Sequence, residues 1–320
     1  MERRCPAEGN AMYRAIVLSC VIFFPALAGA QQAASARPAI TGISHVTFYA
    51  DNLEKSQQFY GVLIGWQQVP AGTPASGVRF YANHSQYIQL LSPPSPGLED
   101  RLVSVSLATA NAESMRRFLA AHAIAVPSSV TAGPGGSATF RVKDPEGHTI
   151  EFTQRGPHDA GAPRPLSTPV SNQIVHAGFV VRDRAAMDHF YRDVLGFHLY
   201  WQGGSSAGRT DWVMMQVPNG TDWVEYMLNL PRTPSRSQLG SANHFSPDVV
   251  SVAALQENLK HRGWVPTAED RPPVLGVDGK WQLDLLDPDG TRVEFMEFKE
   301  VKPPCCSPVL GTPPTPSSGW

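Results

Sequence analysis

One pattern is written twice in this chain, and a duplicated pattern restricts the fold more than any single motif does. The stretch "HVTFYADNLEKSQQFYGVLIGW" opens at His45, and "HAGFVVRDRAAMDHFYRDVLGF" opens at His176. The two align without a gap. Each runs from a histidine through an apolar strand and a polar break into a short helix carrying Phe-Tyr, then a Gly-aromatic pair. Their distal ends also match, as "KDPEGHTIEF" (143–152) and "LDPDGTRVEF" (286–295). Asp-Pro-x-Gly is a turn with a mechanism, because Pro fixes φ and Gly accepts the positive φ that precedes a return strand.

The repeat sets the domain plan. Two units are expected, 40–154 and 173–298, joined by the Pro/Gly/Ser-rich linker 155–172, "RGPHDAGAPRPLSTPVSN". Each unit is itself double. "ISHVTFYA" and "RLVSVSLAT" each begin a strand that leads to a helix, and "IVHAGFVV" and "ANHFSPDVV" do the same in the second unit. The helical stretches "NAESMRRFLAAHA" and "VAALQENLKHRG" place Met115 with Leu119 and Leu255 with Leu259 at i,i+4, an apolar stripe that packs on a sheet. The expected fold class is α+β, with four βαβββ modules paired two by two.

Residues 1–30 stand apart. Arg14 precedes the apolar run "AIVLSCVIFFPALA", and Ala28-Gly29-Ala30 supplies the small residues of a cleavage site. This reads as a signal peptide, starting at Met1 or Met12, too short for a membrane span, and it predicts export to the periplasm or exterior. Cleavage after Ala30 leaves only Cys305 and Cys306, adjacent in a Pro-rich tail (303–320) that is expected to be disordered. A net charge of -2 gives no basic footprint for nucleic acid.

The His at the first strand and the Asp-Pro-x-Gly-x-x-x-Glu at the last resemble the vicinal oxygen chelate superfamily, which includes glyoxalase I, bleomycin resistance proteins and extradiol dioxygenases. The resemblance covers nearly all of residues 40–298. It implies curved mixed sheets that form a cup for a metal and a substrate. Side chains two apart in a strand share a face, so His176, Glu225, His244 and Glu294 are the inward candidates of the second unit. Two imidazoles and two carboxylates suit one divalent metal ion, Fe, Zn, Ni or Mn. His176, His244 and Glu294 form the facial triad associated with non-haem iron. Adding Glu225 gives the set that resembles glyoxalase I, with Glu225 and Glu294 as the catalytic bases.

The matching positions of the first unit are His45, Gln89, Ser104 and Glu151, a weaker donor set that is expected to be without metal. Pro247 implies that the strand carrying His244 is short, at an edge, or bulged. Ring-cleaving dioxygenases carry an apolar-Tyr pair before the Asp-Pro turn, where this chain has Leu283-Asp284, and a His upstream that this chain lacks. Three functions stay open. A glyoxalase I-like lyase or isomerase is the first, an iron(II) extradiol dioxygenase the second, and a binding protein without catalysis the third. For the last, Trp201, Trp212, Trp223, Trp264 and Trp281 supply aromatic walls. The expected partner is a small-molecule substrate, with neither nucleic acid nor stable membrane insertion, and a homodimer is left open.

Overall fold

The computed structural model describes residues 36–70, 77–158, 168–267 and 270–316. The expected signal peptide, and with it the choice between Met1 and Met12, lies outside these residues, as does the centre of the linker. Strand pairing places the two copies in separate eight-stranded sheets. The first contains β1 (Ile40–Tyr49), β2 (Gln67–Pro70), β3 (Gly77–Tyr81), β4 (Tyr87–Leu91), β5 (Leu102–Thr109), β6 (Thr131–Ala132), β7 (Ala138–Lys143) and β8 (Thr149–Gln154). The second contains β9 (Ile174–Val180), β10 (His198–Gly203), β11 (Trp212–Gln216), β12 (Trp223–Met227), β13 (His244–Val249), β14 (Val274–Leu275), β15 (Trp281–Leu286) and β16 (Arg292–Glu297). Their orders are β2-β3-β4-β1-β5-β8-β7-β6 and β10-β11-β12-β9-β13-β16-β15-β14, the same path walked twice. Modules therefore pair within each unit, and both sheets mix parallel and antiparallel neighbours. All seven residues of β9 are buried, because helices cover one face and the cup closes over the other.

The helices follow the sequence. The helix α1 (Leu53–Ser56) is capped by Asn52, α2 (Ala112–Ala121) by Asn111, and α3 (Arg184–Asp188) by Asp183, each side chain accepting a backbone N–H of the first turn. Both Phe-Tyr helices then widen to π geometry, over Gln57–Leu63 and His189–Val194, and each ends on an i→i−5 bond, Ile64 N to Phe59 O and Leu195 N to Phe190 O. A short helix unforeseen in the sequence, α4 (Arg236–Ala242), starts at a capping box between Ser235 and Gln238. The last helix is α5 (Val252–His261), with Leu255 and Leu259 buried as expected.

The repeated motifs latch the two units to each other. Tyr60 of the first unit donates its hydroxyl to Asp287 of the second at 2.8 Å, and Tyr191 of the second donates to Asp144 of the first at 3.4 Å. The second acid of each Asp-Pro-x-Gly turn caps the opposite unit's helix entry. Glu146 accepts from Asp183 N at 2.6 Å, and Asp289 accepts from Asp51 N at 2.9 Å. One apolar core runs through both units, joined where Phe48, Tyr60 and Trp66 meet Phe245.

One expectation is narrowed and another needs correction. Of the three readings of Pro247, the bulge is the one found: β13 lies inside the sheet between β9 and β16, and the pairing register shifts between Ser246 and Pro247. A bulge accommodates the missing N–H inside the sheet. The tail expected to be disordered lies along the second sheet as far as residue 316. Leu310 N donates to Tyr200 O at 2.8 Å, Ser307 Oγ to Gln202 O at 2.7 Å, and Gln216 Nε2 to Thr312 O at 2.7 Å. Proline-rich composition says only that a segment cannot form its own helix or sheet, and here its backbone partners are supplied by β10 and β11. Cys305 and Cys306 are bridged to each other in this segment and close no larger loop. No helix of the described residues is long and apolar enough to cross a membrane.

Candidate metal centre

The four central strands of the second sheet each deliver one polar side chain to a common point. These are His176 from β9, Glu225 from β12, His244 from β13 and Glu294 from β16. The register explains the convergence. Gly178 of β9 stands opposite both Glu225 and His244, and His176 stands opposite Ser246, so the four side chains share one face and two adjacent levels. Their donor atoms all lie within 4.8 Å of one another, and this is the one such group of His, Cys, Asp or Glu among the described residues. His244 Nε2 is 3.1 Å from His176 Nε2, 3.2 Å from Glu225 Oε2 and 3.1 Å from Glu294 Oε2. His176 Nε2 is 3.2 Å from Glu294 Oε2 and 3.8 Å from Glu225 Oε2.

Two imidazole nitrogens that face each other across a buried pair of carboxylates are the donor set of a borderline divalent cation. One ring is oriented from its outer side, where His244 Nδ1 donates to Ala242 O at 2.8 Å and turns Nε2 toward the common point. His176 is oriented by stacking, its ring 5.0 Å from that of Trp223.

Gly178 is the enabling residue. A Cβ built there would lie 2.9 Å from His244 Nε2, and closer still to Cε1 and Nδ1, so any other residue would occupy the volume of the imidazole. The first unit shows the alternative. Thr47 takes the place of Gly178, and its partners across the sheet are Ser104 and Gln89 in place of His244 and Glu225. There His45 Nε2 lies 3.2 Å from Glu151, while Arg141 reaches Glu151 at 2.6 Å and Arg79 reaches Gln89 at 3.0 Å. Two guanidiniums stand beside the remaining carboxylate and amide, where the second unit has Met214 and Asp284. Burial opposes the charge on Glu151, but His45 and Arg141 hold its pKa down to about 2.

Electrostatics separates the two carboxylates of the second unit. Arg292, next to Glu294 on β16, lies 3.3 Å from Glu294 Oε1 and 3.6 Å from Asp284 Oδ1, and its Nη2 is 2.8 Å from His244 Nε2. Burial works against the Glu294 charge, yet Arg292, His176 and His244 outweigh it and hold that carboxyl well below its ordinary range. Burial holds His176 below the usual imidazole value despite Glu294 and Glu225. For His244, burial and Arg292 push down, but Glu225 and Glu294 prevail and raise it. Arg292, Asp284 and Gly178 are the neighbours that sequence reasoning did not assign. Of the five tryptophans, Trp201 and Trp223 are buried with Tyr200 and Met214 beside the centre, and Trp212 is partly buried against them. Trp264 packs on the main core, and Trp281 is 37% exposed.

Sequence comparison now bears on this geometry. The Glyoxalase/Bleomycin resistance protein/Dioxygenase superfamily matches residues 42–152 and 173–295. The chain belongs to this superfamily. Among solved structures, the Mn(II)-bound glyoxalase from Novosphingobium aromaticivorans is 21% identical over 81% of this chain and 83% of its own, with a TM-score of 0.59. The 2,3-dioxygenase LapB from Pseudomonas sp. KL28 is 14% identical over 86% and 98%, with a TM-score of 0.61. Homoprotocatechuate 2,3-dioxygenase from Brevibacterium fuscum is 16% identical over 81% of this chain, with a TM-score of 0.61. No curated relative matches the sequence. At these identities the likeness fixes the fold of two superfamily repeats and leaves the reaction to the site.

Proposed function

We propose that His176, Glu225, His244 and Glu294 hold one divalent metal ion, and that the chain catalyses proton transfer on a small substrate that presents two oxygens to it, in the manner of a glyoxalase I-like lyase or isomerase. The observation that carries this reading is Glu225, a second carboxylate 3.2 Å from His244 Nε2, where a facial triad needs none. A bound ion, Fe, Zn, Ni or Mn, would supply Lewis acidity to the chelated oxygens. Glu294 is tied to Arg292, which suits a permanently anionic ligand. Among the described residues no arginine or lysine lies within ion-pair distance of Glu225, so it is the carboxylate that accepts and returns the proton, over the few ångströms that general-base catalysis requires. Trp223 and Met214 border the centre and keep bulk water from that proton.

Elemental analysis of purified protein tests the first step. About one metal per chain, lost in His176→Ala and Glu294→Ala, is expected, and absence of metal after reconstitution with each of the four ions would sink it. Glu225→Gln tests the second: metal is retained while C–H exchange into deuterated water on 2-oxoaldehyde adducts or α-hydroxy ketones falls roughly 100-fold or more. The His176–His244–Glu294 triad by itself favours a second reading, an iron(II) extradiol dioxygenase, for which iron content and O2 uptake with catechols are the signature. The sequence of residues 1–30 supports export, a proposal tested by finding the protein in the extracytoplasmic fraction with its N-terminus at Gln31.

A further inference from the structure

The second cup contains a buried cation that the four-donor centre does not use. Lys280, in the turn before β15, is 1% exposed, and its Nζ makes no well-formed hydrogen bond. It lies 5.2 Å from the Trp223 ring and 5.3 Å from the Tyr200 ring, which stack on each other at 5.0 Å. Trp223 is the shared wall, since His176 stacks on the same ring. Orphaned polar atoms gather here: Lys280 Nζ, Trp223 Nε1, the Tyr200 hydroxyl, both carboxylate oxygens of Asp248 and one of Asp278. An unpaired buried polar group is destabilising, so a folded chain does not collect several in one place without a return. The donors are a lysine, an indole and a phenol. Against its own burial, Asp248 and Asp278 help raise the lysine's pKa, while burial raises Asp278 to about 7 and Asp248 well above its ordinary range.

We propose that Lys280, with Trp223 and Tyr200, forms an oxyanion subsite beside the four-donor centre, so that the substrate is a small acid, with a carboxylate or phosphate on a skeleton short enough to reach from one to the other. This deepens the proposed function by naming the substrate class and rests on it for the chelating end of the molecule. Lys280 acts as a specificity residue that fixes one end of the substrate, and it takes no part in the proton transfer. The stacked aromatic pair fixes the place of the ammonium group, and Lys280 supplies the charge that distinguishes an acid from its neutral ester.

The test uses the fluorescence of the buried tryptophans in the full chain, with and without added Mn(II) or Zn(II). The probes are 2-oxo acids, their methyl esters, and inorganic phosphate. Saturable quenching by the acids and not by the esters is expected, with Lys280→Met weakening it by about 10- to 100-fold and Lys280→Arg restoring most of it, the range for a charged hydrogen bond. Phosphate that competes with the acids identifies the general oxyanion site, whereas acids that phosphate does not displace restrict it to carboxylates. Equal binding of acids and esters, no saturable binding at all, or a Lys280→Met chain that still melts at the wild-type temperature and discriminates as before would overturn the proposal. Metal content measured on the same samples separates this outcome from failure of the metal centre, because the subsite is read in metal-free protein as well.

Discussion

Gly178→Ala is the smallest change that tests the geometry of the centre. The added Cβ would lie 2.9 Å from His244 Nε2 and nearer to Cε1 and Nδ1, whereas a relaxed contact is about 3.5–4 Å. The ring must therefore move by roughly 1 Å or more. It cannot retreat with its strand, because β13 is held between β9 and β16, and Nδ1 is tethered to Ala242 O. The imidazole swings off the common point instead, and metal–ligand distances tolerate only about 0.2 Å. Metal affinity, read by competition with a chelator, is expected to fall at least 10- to 100-fold, as it does when ligand orientation is lost. Stability, read by chemical denaturation of metal-free protein, is expected to fall by about 1–3 kcal/mol from overpacking. The double variant Gly178→Ala/His244→Ser imitates the Thr47–Ser104 pair of the first unit. It should recover most of that stability and none of the metal affinity, a coupling that a double-mutant cycle measures directly. Wild-type metal affinity in Gly178→Ala, or a double variant no more stable than the single, would refute the argument.

Two further predictions concern the joint between the units. Tyr60→Phe leaves one oxygen of the buried Asp287 without its phenol donor, and a loss of about 1–3 kcal/mol is expected by urea denaturation; an unchanged midpoint would show that the latch is decorative. Asp222 is fully buried and accepts from Ile43 N at 2.8 Å, and burial raises its pKa from 3.8 to about 7. The folded chain thus binds this proton more tightly than the unfolded chain. The group's penalty is absent below about pH 4, grows as pH rises, and is complete above about pH 7. Asp222→Asn keeps an acceptor for Ile43 and removes the charge, so it should gain stability at pH 8, by at most about 4 kcal/mol for roughly three pKa units, and nothing at pH 4. A variant equally destabilised at both pH values would contradict this.

Features governed by a local period were legible in the sequence. Alternation along a strand put His176 and Glu294 on the inward face, and matching module positions made His45, Gln89, Ser104 and Glu151 the counterparts that the strand register now places in equivalent pairs. Features governed by a distant surface were not. Lys280 sits in "DGKWQ", which reads as a solvated turn; its burial depends on Tyr200 and Trp223, more than fifty residues away in sequence. The guanidinium of Arg292 likewise meets His244 only through the pairing of β13 with β16. The tail failed for the same reason, since its ordering donors and acceptors belong to β10 and β11. The helix at Arg236–Ala242 is different: its Ser235–Gln238 capping box was a local signal, present and unread.

The crossed latches make the copy with fewer donor side chains a structural partner of the other. Tyr60 grips the Asp287 turn, and that turn launches the strand that delivers Arg292 and Glu294. The first copy therefore serves as a jig, holding a part of the second in place. The first copy departs from the second at Thr47, Gln89 and Ser104 and keeps His45, Glu151 and the matching tyrosine, Tyr60 for Tyr191. A change in the core of the first copy is therefore felt at the donor strands of the second, because Tyr60 reaches Asp287 across the joint.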